Sequence, residues 1–133
     1  MIALAAVLLL LLMAGAGLLI GRRFLVVTVE GISMTPSLRP GDRLLARRTG
    51  RGTTIERDAV VVLRHDDGSG YYIKRVTSVA GDPVPDGIPA ATPSVPPGTV
   101  VLRGDNVHAS LDSRLWGCVP VGQIVAVTLR QLA

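Results

Sequence analysis

Two regimes of hydrophobic patterning divide the chain. Residues 2–20 form a run of nineteen without a charge or a strongly polar side chain; at ~1.5 Å per residue a helix of that length reaches ~28 Å, enough to cross the hydrocarbon core of a bilayer. The run predicts a membrane anchor over residues 1–21. A cleavable secretory signal is the competing reading, since Ala14-Gly15-Ala16 has the small residues of a cleavage site, but no charged segment precedes the apolar run. After the anchor the pattern changes to short β-branched stretches bounded by Gly, Pro and Asp. These predict strands over 24–30, 43–47, 59–64, 71–79, 99–103 and 124–129. Strands of this length and spacing predict a mainly β domain over 22–133, a small barrel or sandwich. Between 82 and 98, Pro83, Pro85, Pro89, Pro93, Pro96 and Pro97 remove ladder donors, so this stretch is expected to be a surface excursion.

Composition narrows the partners. The 133 residues suit one small domain with an appendage. One Trp, one Phe and two Tyr provide no platform for stacking bases, so nucleic acid is not an expected partner. A single cysteine, Cys118, allows no internal disulfide and reads as a packed thiol. The net charge of +4 comes almost wholly from arginine, and Arg39, Arg43, Arg47, Arg48, Arg51 and Arg57 crowd one stretch that could attract anionic headgroups if it lies at the membrane.

Among fourteen basic residues, Lys74 is the only lysine, and it lies in a strand-like run. Where a fixed positive charge suffices, this chain uses arginine. A solitary lysine therefore suggests an amine that can lose its proton, which arginine cannot do; on composition alone, a surface lysine in an arginine-biased chain is an equal alternative. Ser33 sits between Gly31 and Pro36 on a turn-rich connection; alone, such a serine is an ordinary turn residue. Residues 104–114 bring Asp105, His108, Ser110, Asp112, Ser113 and Arg114 into one polar segment. Asp112 and Arg114, two apart, would face the same side if that segment were extended.

Taken together, these segments resemble the type I signal peptidase (leader peptidase) family of serine proteases. Ser33-Met34-Thr35-Pro36-Ser37-Leu38 is similar to its nucleophile box, and Lys74-Arg75 followed by Gly81-Asp82 to its lysine box. Gly104-Asp105-Asn106 through Ser110, Asp112-Ser113-Arg114 and residues 117–120 are similar to its C-terminal box. The order matches, and the boxes follow an apolar helix. The resemblance implies Ser33 as nucleophile, Lys74 as general base, Ser110 as the hydroxyl that orients the lysine, Asp112 and Arg114 as a supporting ion pair, and Asp105 as a second structural acid. Oxyanion binding would fall to Gly31, Ile32 and the N–H of Ser33. No metal or cofactor is implied, and the substrates would be precursor proteins with small residues before the cleaved bond.

This chain departs from the family pattern at Gly31, where some members have a serine that helps hold the oxyanion, and at Ala80, where a proline is usual. The excursion over 83–98 is also far shorter than in large members. His65 and His108 are the residues a conventional Ser-His-Asp arrangement would need, and neither lies in a hydrolase-like motif. The alternatives are a maturation protease dedicated to one precursor, and an inactive adaptor that binds export signals; retention of Ser33, Lys74 and Ser110 argues against the adaptor. The resemblance implies a single-pass cell-membrane protein with its domain outside the cytoplasm, whereas Arg22 and Arg23 directly after the apolar run favour a cytoplasmic domain.

Overall fold

The apolar run and two arginines beyond it, Ile2–Arg23, form one helix, α1, in a computed structural model that describes residues 1–133. None of its residues is buried against the domain, so the whole cylinder is free to meet lipid. The helix ends two residues beyond the expected anchor. It passes without a loop into β1 (Phe24–Thr28), because Phe24 already has extended backbone angles.

The remaining strands are β2 (Arg43–Arg48), β3 (Val60–Arg64), β4 (Tyr71–Val79), β5 (Thr99–Arg103), β6 (Val119–Pro120) and β7 (Ile124–Leu132). A four-residue helix, α2 (Ser113–Trp116), lies between β5 and β6, and a 3-10 turn over Val121–Gln123 leads into β7. All seven strands join one antiparallel sheet in the order β1-β2-β7-β3-β4-β5-β6. The last strand is therefore inserted between β2 and β3. β1 ends two residues earlier than its sequence run, although Val29 still exchanges backbone hydrogen bonds with Asp42 and Gly41.

Both faces of the central strands are covered. Val62 and Ile73 pack with Val27, Leu44 and Ala126 in one cluster, while Val61, Val76 and Leu102 pack in another. This follows from the period of two along each strand. The pairing Val61↔Lys74 puts the lysine on the same face as the second cluster. The proline-rich excursion is more ordered than a surface loop: Pro83 bridges Ser94, and Ile88 and Val95 bury against Val101 as a third small core.

Candidate active site

Three segments meet at one place: the turn after β1, the middle of β4, and the connection from β5 into α2. The turn is held from within, since the Ile32 carbonyl accepts both the N–H and the hydroxyl of Thr35. Met34, 1% exposed, drives its side chain into the core beneath. Asn106 then clamps the turn from the far connection: its N–H donates to the Ser33 carbonyl (2.8 Å), and its side-chain amide donates to the Ile32 carbonyl (3.1 Å) and to Thr35 Oγ1 (3.0 Å). Asn106→Ala is expected to lower stability by about 1–2 kcal/mol through loss of these side-chain bonds. A thermal melt of the purified variant checks this; an unchanged midpoint would mean that the clamp is not needed to hold the turn.

Ser33 Oγ lies 2.9 Å from Lys74 Nζ, the amine being the donor as drawn. Lys74 is 2% exposed and has no carboxylate within ion-pair distance. Burial lowers its pKa below the ordinary lysine value, and the more distant Asp112 charge opposes that shift only in part. Its amine also lies 5.7 Å from the centre of the Tyr72 ring, which stacks on His65 and Trp116.

Asp112 is 1% exposed. It caps α2, taking the N–H of Arg114 (3.2 Å) and a two-pronged contact from the Arg114 guanidinium (2.9 Å each), while the Gly104 N–H donates to it at 3.0 Å. Burial alone would raise its pKa, but these bonds outweigh it and hold the carboxyl at about 2. The Asp112–Arg114 pair expected from sequence is therefore formed, but across a helix start and not along an extended segment. Asp105 pairs with Arg75, the residue after Lys74, through two bonds of 2.9 and 2.8 Å, and thereby ties β4 to the same connection. Ser110 Oγ is buried beside the turn and forms no hydrogen bond to Lys74; it lies close enough to the Asp112 carboxylate to help lower that group's pKa.

In the sequence, Gly104 stands out only as part of a motif. It is buried where an added Cβ would meet the Ser110 hydroxyl and lie 2.6 Å from the Ser33 carbonyl oxygen. Only glycine lets the two connections approach this closely. Asn106 likewise shows no role in the sequence; both depend on contacts between segments some seventy residues apart.

In front of the pair is a cleft of about 240 Å³ whose walls include Val29, Glu30, Met34, Tyr71 and Ile73, with Ser33 and Lys74 at its base. The N–H groups of Ile32 and Ser33 make no hydrogen bond within the protein, leaving donors beside the serine oxygen. Gly31, with φ +72°, has open space around it. His65 is in the cleft wall, but its Nδ1 faces Ser69 Oγ at 3.3 Å and not Ser33; His108 is exposed. No three His, Cys, Asp or Glu side chains converge as metal ligands.

A family model described as signal peptidase, peptidase S26, matches residues 1–85 and 86–131. The mitochondrial inner membrane protease subunit 1 of Mus musculus is 33% identical over 105 residues, covering 74% of this chain and 63% of that protein. That of Schizosaccharomyces pombe is 32% identical over 116 residues, covering 82% and 73%. Signal peptidase IB of Staphylococcus aureus (strain COL) is 27% identical over 137 residues, covering 74% and 72%. The chain spans somewhat less than two thirds of the mouse relative's length. With the nucleophile-like, lysine and C-terminal segments in the order the family requires and the family model matched over almost all of its length, this chain belongs to the signal peptidase family, peptidase S26.

Proposed function

We propose that the chain is a membrane-anchored serine endopeptidase that removes leader peptides from precursor proteins, with Ser33 as nucleophile and Lys74 as general base. The observation that carries this reading is the 2.9 Å contact between Ser33 Oγ and a buried lysine free of any ion pair. A neutral Lys74 amine takes the Ser33 proton as Oγ attacks the carbonyl carbon of the scissile bond. The oxyanion is met by the Ser33 N–H, with the neighbouring Ile32 N–H available as a second donor. Collapse of the adduct breaks the C–N bond, and the Lys74 ammonium gives its proton to the departing amine. Water then attacks the acyl ester, with Lys74 again accepting a proton, and Ser33 is regenerated.

Around this pair, Ser110 is assigned the orienting hydroxyl, because its oxygen is buried close to both the turn that carries Ser33 and the Asp112 carboxylate. Asp112 with Arg114, and Asp105 with Arg75, hold the backbone that carries it. The cleft of about 240 Å³, with Val29, Met34 and Ile73 among its lining residues, suits an extended chain with small side chains before the cleaved bond. The substrate-facing domain is assigned to the side away from the cytoplasm, where exported precursors emerge. Arg22 and Arg23 at the end of α1 pull the other way, and a cytoplasmic domain would favour the dedicated maturation protease.

Purified chain in detergent, incubated with a synthetic leader peptide, should cut it once, after a small residue, as read by mass spectrometry. His65→Ala and His108→Ala should retain most of the activity; loss in either without unfolding would return the base role to histidine. Protease treatment of spheroplasts should degrade the β-domain, and protection until the membrane is opened would overturn the outside placement.

A further inference from the structure

We infer that the exit of α1 carries a binding site for the phosphate of anionic phospholipid headgroups, formed by Arg47 and Arg51, with Arg22, Arg23 and Arg48 completing a basic collar around it. The inference rests on α1 crossing the bilayer and not on the peptidase reading. The sequence shows only that arginines are crowded between 39 and 57; the fold sorts them. Arg22 and Arg23 form the last turn of α1. The next residue, Phe24, is paired directly with Arg47 across the β1–β2 ladder, so Arg47 and Arg48 stand at the point where the chain leaves the membrane helix. Arg43, at the other end of β2, pairs with Thr28 a full strand length away, and Arg57 is engaged by Asp82 at 2.7 Å. Those two are excluded from the group.

All five collar arginines are exposed, and none has an ion-pair partner. Beyond Arg48 the chain turns through Gly52 (φ +78°) and encloses a cleft of about 490 Å³ lined by Arg47, Arg51, Gly52, Thr53 and Thr54. The N–H groups of Arg51, Gly52 and Thr54 donate to no acceptor in the protein. Two guanidinium forks, free backbone donors and threonine side chains are the groups that bind a phosphate monoanion or diester. Glu56 is the one acid lining the cleft, and it makes no ion pair with either arginine. A soluble phosphate would meet the same chemistry, but α1 fixes this cleft at headgroup height, where phosphate is concentrated. Occupancy would seat the β-domain at a set orientation on the bilayer.

Hydrogen exchange of the full chain in nanodiscs tests this without any need for activity. In phosphatidylcholine containing phosphatidylglycerol, residues 51–54 should exchange roughly tenfold or more slowly than in pure phosphatidylcholine, since each arginine at an anionic surface is worth about a fivefold shift in occupancy. High salt should remove the difference. Arg47→Gln/Arg51→Gln should abolish it while exchange in β3 and β4 stays unchanged, which shows that the domain remains folded. Equal exchange in the two lipids would overturn the inference. So would equal slowing by inorganic phosphate in pure phosphatidylcholine, which would reassign the cleft to a soluble anion.

Discussion

Ser33→Ala, Lys74→Ala and Lys74→Arg are each expected to lower turnover of a leader peptide by about 10,000-fold or more, with the domain still folded. Ser33→Ala removes the atom that forms the acyl bond. Lys74→Ala removes the amine 2.9 Å from Ser33 Oγ, and with it the base that would take the hydroxyl proton. Lys74→Arg separates charge from basicity: it keeps a cation at the site, but guanidinium holds its proton at any working pH. Because Lys74 is 2% exposed, the bulkier arginine also needs a fold control, such as an unchanged near-ultraviolet dichroism spectrum. Single-turnover kinetics on folded variants decides the matter, and substantial cleavage by Lys74→Arg would contradict a lysine base.

Gly104→Ala is expected to be the most damaging substitution among residues that touch no substrate. The added methyl would lie 2.6 Å from the Ser33 carbonyl oxygen and against the Ser110 side chain. That oxygen also accepts the Asn106 N–H, so the turn cannot move away without breaking the bond that clamps it. A displacement of Ser33 by even a few tenths of an ångström degrades its alignment with Lys74, and loss of about 100-fold in kcat/KM is expected. Overpacking should also cost about 1–3 kcal/mol of stability. Gly122→Ala, at a position with open space, is the control and should change neither. Near-normal activity in Gly104→Ala would show that the two connections are not packed as tightly as the structure has them.

Several features were legible because the physics is local. The anchor needs only an uninterrupted apolar run, and the strands β2 to β5 announce themselves as β-branched stretches between Gly, Pro and Asp. The insertion of β7 between β2 and β3 is not local, and nothing in residues 124–132 specifies its neighbours. Helix α2 was missed because four residues are too short to show a period, although Asp112 followed by Ser113 and Arg114 is a capping sequence. At the site, Ser33 and Lys74 were legible as chemistry in the order of a known family, and Asp112 with Arg114 as a close pair. Their companions were not. Gly104 matters through a contact with the carbonyl of Ser33, and Asn106 through bonds to Ile32 and Thr35, distances along the chain that no spacing rule reaches. Arg75 follows Lys74 directly, but its partner Asp105 is on another strand's connection.

Because Lys74 is the only lysine in the chain, its protonation can be observed directly. With selectively labelled lysine, the full protein in micelles gives one side-chain carbon signal whose shift can be followed with pH, beside kcat/KM measured in the same micelles. Burial disfavours the ammonium form, so the folded protein should release this proton below about 10.4, the value of a free lysine. As pH rises through that point the amine becomes a base, and kcat/KM should rise along the same curve. The expected result is one titration, displaced downward and coincident with the acid limb of activity. A lysine signal that titrates near its free value, or cleavage that proceeds at full rate while the signal shows an ammonium, contradicts the assignment of Lys74 as the base for Ser33.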